Sequence, residues 1–309
     1  MAVVTTDYLA GVLTNFRALF AESFEAARNL SPWREIAMEI PSTTLTETHT
    51  WLGTTPTMKD VTKDELTFEG LPRYNFSIEN KVWKAGIEVQ RTAFEDDKLG
   101  LLLPRIRQLG EEAARHPGQL IFNLPITNPN AFDGVAFFAD TRTIGKSANI
   151  DNQIAGTGVT AAAFQTDLGS ARAQMRLFQD DQGRPMNVVG NIIMVPPALE
   201  QVAYQALNAN QGDVRDPAIP ATPDGAIRAV GYIIIVNPFL TDATDWYLLH
   251  AAGSTRPFIY QTRLAPALEG VTSPNTEDGV IRDRFIFSVR ARYETGVGDP
   301  RHAVQIENA

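Results

Sequence analysis

Residues 75–89 read Asn75-Phe76-Ser77-Ile78-Glu79-Asn80-Lys81-Val82-Trp83-Lys84-Ala85-Gly86-Ile87-Glu88-Val89. The run is strand-like, with charged and amide side chains set between the apolar ones. Upstream, Pro41-Ser42-Thr43-Thr44-Leu45-Thr46-Glu47-Thr48-His49-Thr50-Trp51 is β-branched and nearly alternating, so it also reads as a strand. Between them the chain is polar, with turn signals at Gly53, Pro56, Gly70 and Pro72. The pair reads as a long hairpin arm with little apolar surface at its tip. A two-stranded ribbon is marginal in water by itself, so one that persists leans on a neighbour. The alternative is a plain surface loop.

Working outward, Asp96-Asp97 opens the longest expected helix, with Leu99, Leu102, Leu103, Ile106, Leu109, Ala113 and Ala114 on one face. Pro104 suits its first turn, and Pro117 should kink or restart it. Residues 3–30 form an amphipathic helix through Tyr8, Val12, Phe16, Leu19 and Phe20, ended by Ser31-Pro32. Phe132-Asp133-Gly134 marks a turn before the buried pair Phe137-Phe138, and 139–158 reads as loop. Thr160 is the N-cap of a helix bearing Phe164, Leu168, Ala171, Met175 and Phe178. A strand at 191–195 runs into Pro196-Pro197 and a helix over Ala198–Leu207. Strands are expected at 230–236, 246–249, 258–263 and 283–293. The last alternates: Phe285, Phe287, Val289, Ala291 and Tyr293 share one face, with Arg284, Ser288, Arg290 and Arg292 opposite. The mixed order, without regular βα alternation or repeats, gives an α+β class.

The bulk numbers remove whole classes of function. No cysteine occurs among the 309 residues, so disulfides, zinc–thiolate sites and cysteine nucleophiles are out. A net charge of −9 argues against a protein whose main task is gripping nucleic acid, though not against one that walls it in. No signal peptide or membrane-length apolar run is visible. His49, His116, His250 and His302 are scattered, with no metal-type spacing. Asp140-Thr141-Arg142-Thr143-Ile144-Gly145-Lys146-Ser147 has the second half of a phosphate loop, but Asp140 replaces the leading glycine. Gly156-Thr157-Gly158 lacks the third glycine of a dinucleotide fingerprint. The acidic pairs Asp96-Asp97, Glu111-Glu112 and Asp180-Asp181 read as solvated faces or helix starts. No catalytic residue, cofactor or metal site is expected.

Several segments resemble the major head subunit family of Mu-like phages and prophages. They are Trp51-Leu52-Gly53, Phe94-Glu95-Asp96-Asp97-Lys98-Leu99-Gly100, Leu109-Gly110-Glu111-Glu112-Ala113-Ala114, and Phe132-Asp133-Gly134 with Phe137-Phe138. Val195-Pro196-Pro197-Ala198-Leu199-Glu200, Asn237-Pro238-Phe239-Leu240, Trp246-Tyr247-Leu248-Leu249, Arg256-Pro257-Phe258-Ile259 and Val289-Arg290-Ala291-Arg292-Tyr293 follow in the family's order. The resemblance implies a Hong Kong 97-like major capsid fold. On that template 1–47 is an N-terminal arm and 48–92 the extended hairpin loop. Residues 93–155 and 265–309 form a peripheral domain on a spine helix, and 156–264 an axial domain.

The implied function is that of a major capsid protein, self-assembling into pentamers and hexamers of an icosahedral head around double-stranded DNA. It would be assembled in the host bacterial cytoplasm without sequence-specific DNA binding. The alternatives are an encapsulin-like compartment of the same fold, and, from another class, a cytoplasmic acidic hydrolase or binding protein. Trp51, Phe76, Trp83, Arg290 and Arg292 are the expected assembly contacts. For the aromatics the other possibility is packing on the subunit's own spine helix. Separate scaffold, head protease and portal proteins are expected partners, with a decoration protein as an option. The separate scaffold is expected because the sequence opens directly on the arm. Lys59 and Lys63 stand where relatives of this fold carry a cross-linking lysine, and read here as solubilising charges.

Overall fold

The structure is a computed structural model; it describes residues 6–52, 73–95, 99–208, 231–271, 273 and 276–308. The ribbon tip with Lys59 and Lys63, the Asp96-Asp97 start and the 209–230 loop lie outside the described residues.

Two long helices lie together. Helix α1 (Thr6–Asn29) buries Leu9, Val12, Phe16 and Phe20 against Ile106 and Leu109 of the spine helix α4 (Leu99–Thr127). The expected arm thus packs its helix back on the spine of its own chain. The helices nearly touch at Gly110, where a Cβ would collide with Ser23 Oγ and lie 2.9 Å from the Phe20 carbonyl oxygen. Pro117 was expected to kink or restart the spine; α4 does not restart there but runs on as one helix containing Pro104, Pro117 and Pro125. Packing offsets the lost backbone bond. Just past Pro117, Gly118 sits against the Trp33 ring, and just before it His116 Nδ1 is 2.7 Å from the Tyr293 hydroxyl.

These helices cover one face of a four-stranded sheet ordered β1 (Ala37–Pro41), β9 (Phe258–Val271), β10 (Arg284–Val297), β4 (Lys81–Gln90). On β10 the expected face is buried: Phe285, Phe287, Val289, Ala291 and Tyr293 are all under 5% exposed. A short helix, α7 (Glu277–Ile281), sits between β9 and β10. Strand β9 runs eight residues further than its alternation suggested. Pro266, which lacks an N–H, falls where the β9–β10 register slips between Arg290↔Ala267 and Arg292↔Leu264, so the ladder tolerates it.

The second sheet is ordered β5 (Gln153–Ala155), β11 (Ala303–Glu307), β8 (Trp246–Leu249), β6 (Ile192–Val195), β7 (Ile233–Val236). Its centre is buried on both faces, which explains the unbroken apolar runs Ile192–Val195 and Trp246–Leu249. One face packs Ile193, Val195, Trp246 and Leu248 on α5 (Ala161–Leu177) and α6 (Glu200–Asn208). The other packs Ile192, Met194, Tyr247 and Leu249 with Phe122 and Phe138. Thr160 caps α5 as expected, its side chain accepting from Ala163 N at 3.2 Å. Strand β5, read as loop, and the C-terminal strand β11 were not anticipated. Both are too short to show a period alone.

Strands β2 (Thr46–Leu52) and β3 (Arg73–Glu79) pair antiparallel as a separate ribbon, from Thr46↔Glu79 to Leu52↔Arg73. Each expected hairpin strand is divided. The first ends its sheet pairing at Pro41 and resumes at Thr46; the second breaks at Asn80, beyond which β4 pairs with β10.

Candidate assembly surface at the root of the ribbon

The break residues form a buried polar knot. Asn80 is 3% exposed; its Nδ2 donates to Ser42 Oγ (2.8 Å), to the Thr44 carbonyl (2.9 Å) and to the Leu45 carbonyl (3.3 Å). Gln261, fully buried on β9, donates through Nε2 to the Ile78 carbonyl (3.1 Å) and Asn80 Oδ1 (3.0 Å). His49 Nε2 donates to Gln261 Oε1 at 2.7 Å. Glu47 accepts from Ser42 and Thr44, each at 2.9 Å, and these hydrogen bonds hold its carboxyl below the usual carboxylate value. Ile78 closes the apolar side: a Cβ at Gly296 would come within 2.7 Å of its Cδ1. The ribbon therefore leaves the body at a fixed angle, because the buried side chains at its base, Ser42, Asn80 and Gln261, all have directional partners.

Of the expected contact residues, Trp51 lies on β2 opposite Tyr74 and its side chain is outside the described residues. Phe76 is half-buried at the root, 5.2 Å ring-to-ring from His49. Trp83 is half-buried on β4; its Nε1 donates to the Tyr293 carbonyl at 2.9 Å and its ring lies 4.4 Å from His116 on the spine helix. Within the chain, Trp83 thus packs on the spine helix, whereas Phe76 packs on His49 at the ribbon root and not on the spine. Replacing Trp83 with Ala is therefore expected to lower the stability of the isolated subunit by about 2–4 kcal/mol, below the full cost of a completely buried aromatic. Urea unfolding of the monomer checks this; an unchanged midpoint would return Trp83 to the list of intersubunit anchors.

Arg290 and Arg292 point from β10 to the face that the helices leave uncovered. Arg290 stands across from Lys84 of β4, and Arg292 across from Val82, which is 51% exposed. Leu264 of β9, 37% exposed, pairs with Arg292 from the other side. Two like charges directly opposite on a sheet are unfavourable for the lone subunit. This open face is basic and partly apolar, in a chain that is acidic as a whole.

The remaining chemistry-bearing residues are committed to structure. In the loop at 140–148, the amides of residues 142, 144, 146, 147 and 148 are already paired within the chain. Arg142 N donates to Asn149 Oδ1, Ile144 N to Ser147 Oγ, Lys146 N to the Asp181 carbonyl and Ala148 N to Gln179 Oε1. Arg142 itself is buried against Asp133 at 2.7 Å. Thr157 N is held by Asp167, and Gly158 N by Asn308. Burial pushes the His116 imidazole down, against the raising influence of Glu112 and Glu294. Among the described residues no group of three or more potential ligands could hold a metal ion. No described helix is long and apolar enough to cross a membrane.

Residues 9–165, 153–216 and 234–308 match the family described as Mu-like prophage major head subunit gpT. The chain is 27% identical to the Mu-like prophage FluMu major head subunit of Haemophilus influenzae, over 99% of this chain and 75% of that protein. It is 29% identical to the major capsid protein of Escherichia phage Mu, over 59% of this chain and 62% of that one. Among solved structures, the capsid of cyanophage P-SCSP1u superposes with a TM-score of 0.59 at 11% identity, covering 90% of this chain and 88% of that one. The procapsid of bacteriophage JBD30 gives a TM-score of 0.53 at 21% identity, covering 96% and 74%. The virus-like particle of Pyrococcus furiosus gives 0.54 at 11%, covering 95% and 98%. The fold is thus the Hong Kong-type capsid fold, α+β in class, and the family is structural rather than enzymatic. The chain belongs to the Mu-like prophage major head subunit gpT family and is a major capsid protein of the phage virion.

Proposed function

We propose that the subunit closes an icosahedral head through pentamers and hexamers, with the ribbon reaching from its buried root onto an adjacent copy. The observation that carries this is the root itself. Gln261, Asn80 and His49 fix the direction of a ribbon whose described side chains are mostly exposed. Such stiffening is useful only if the ribbon meets something beyond its own chain. Heterologous contacts of this kind, repeated about an axis, close rings. The open basic face with Lys84, Arg290 and Arg292 is the second proposed contact region.

The two sheets suggest the division of labour. The four-stranded sheet with α1 and α4 is the proposed peripheral domain. The five-stranded sheet with α5 and α6 is the proposed axial domain, and pairing of β11 with β5 and β8 argues for counting 303–308 with it. The pairing of β9 along its whole length with β10 likewise argues for counting 258–264 with the peripheral domain. Separate scaffold, protease and portal proteins would act with the subunit, and the shell would enclose double-stranded DNA without reading its sequence.

Negative-stain microscopy of the high-speed pellet from cells co-expressing the subunit with its neighbouring genes tests this. Closed shells holding DNA are the expected result. Shells holding a protein cargo would instead indicate a storage compartment of the same fold, and small soluble species alone would overturn shell formation.

A further inference from the structure

Besides the long connection through the spine helix, two short chain crossings join the two sheets, residues 250–257 from β8 to β9 and 298–302 from β10 to β11. They meet at a pair of histidines. His250 follows β8 and His302 precedes β11, and the His250 amide donates to the His302 carbonyl at 2.8 Å. This is the last rung of the antiparallel ladder in which Leu249 faces Ala303. The two imidazoles therefore stand directly cross-strand, ring centroids 5.2 Å apart and 26° from parallel. At the far end of the crossings Gly298 N donates to the Pro257 carbonyl at 2.7 Å, and a Cβ on Gly298 would press into the Arg256 carbonyl.

The surroundings disfavour charge on His302. The residue is 8% exposed, and its Nδ1 has no hydrogen-bond partner among the described residues. Its nearest anion, Asp299 Oδ2, is 3.8 Å away and already taken by Arg301. Arg301 donates to Asp299 from its backbone N (2.9 Å), from Nε (2.9 Å) and from Nη2 (2.6 Å). Asp180 and Asp181 act on Arg301 rather than on the imidazole, and Arg142 adds positive charge near the same carboxylate. His250 Nδ1 donates to the Val189 carbonyl at 2.6 Å, which leaves its Nε2 as the site a second proton would take.

We propose that the His250–His302 pair is an acid-sensitive clasp between the two sheets. While both rings are neutral they stack across the final rung and hold the crossings together. A proton on His302 puts a charge in a buried site whose one close carboxylate is already engaged by Arg301, and protons on both put like charges directly opposite on a ladder, which is repulsive. The rung then opens, and the crossings that set the angle between the sheets loosen. Burial, the neighbouring His250 and Arg301 lower the affinity of His302 for a proton, outweighing the pull of Asp299. The closed junction thus binds protons more weakly than the open one. Its stability is complete above the ordinary histidine value of 6.5 and is lost as pH falls below it.

The test uses the full chain and two readouts between pH 8 and pH 5. Deuterium exchange at the imidazole C2 positions should titrate His302 below the free-histidine value. Backbone exchange, corrected for its intrinsic pH dependence, should show protection of the His250 amide falling about tenfold or more on acidification, while Ile193 in the sheet centre holds. His302→Gln should keep its protection at pH 5. His250→Gln, which removes the second charge, should reduce the loss and serves if the first variant does not fold. Protection that is independent of pH in the native chain, or an acid loss undiminished in the variants, would overturn the clasp. These readouts do not depend on shell formation, so failure of the assembly proposal leaves them unaffected.

Discussion

Replacing Asp299 with Ala is expected to destabilise the subunit by about 3–5 kcal/mol, because it strands a buried guanidinium. Asp299 is 1% exposed and Arg301 is 5% exposed. Two guanidinium nitrogens of Arg301 converge on the carboxylate, which also accepts the backbone amide that starts the 300–302 turn. Burial by itself would raise the Asp299 carboxyl, but the Arg301 charge and these hydrogen bonds, with His302, hold it below the ordinary value of 3.8. That sign fixes the pH window. The pair is intact throughout the range above 3.8 and fails only as pH drops beneath it. Acid loss from the histidine clasp begins near 6.5, so the two effects separate on the pH axis. A domain of ordinary stability, about 5–15 kcal/mol, would be left near its unfolding threshold by the substitution. Urea unfolding at pH 7 measures it, with the midpoint shifted and the slope unchanged. A shift worth less than about 1 kcal/mol would mean that Arg301 re-pairs, by competing for the nearby carboxylates of Asp180 and Asp181.

Elements with a long period and a matching cap were legible in the sequence. The inward face of β10, the stripe of α5 with its Thr160 cap, and the α1 and α4 stripes all follow from local spacing. So did the polar ribbon, since alternation without an apolar face marks strands that gain little from their own pairing. What remained hidden depended on distant partners. Nothing local to Ala37–Pro41 says that it pairs parallel with β9, 221 residues away at Ala37↔Phe258. Lys81–Gln90 gave no sign that it would leave the ribbon for β10, because the cause is Asn80, whose side chain is used up on Ser42, Thr44 and Leu45. Pro266 hid half of β9 by breaking the pattern where a register slip absorbs it. The histidines looked incidental because their spacing fits no metal or catalytic pattern. The pairing of His250 with His302 exists only through the ladder between β8 and β11. Gln261 was likewise hidden, as one polar residue in an apolar run, although its burial makes it central to the ribbon root.

Gln261→Ala is expected to leave the subunit folded while releasing the ribbon from its fixed direction. The substitution removes three hydrogen bonds at once: to the Ile78 carbonyl, to Asn80 Oδ1 and from His49 Nε2. Each group left unpaired in a buried site costs about 1–3 kcal/mol, and water entering the vacated space recovers part of it, so the local loss is about 2–4 kcal/mol. The two sheet cores do not depend on this side chain, so the global unfolding midpoint should move far less than ribbon protection does. Since 1.4 kcal/mol is a factor of ten, amide exchange in Thr46–His49 and Asn75–Glu79 should accelerate about a hundredfold. Gln261→Glu separates geometry from simple bulk. Its carboxylate can still accept from His49 but cannot donate to Ile78 or Asn80, so it should resemble the Ala variant despite filling the same volume. If a directed ribbon is what joins neighbours, the yield of closed shells on co-expression should fall at least about tenfold in both variants. Normal shells from a variant with loosened ribbon exchange would show that assembly does not need the angle set at the root. The open face bearing Lys84, Arg290 and Arg292 would then be the stronger candidate for the contact that closes the head.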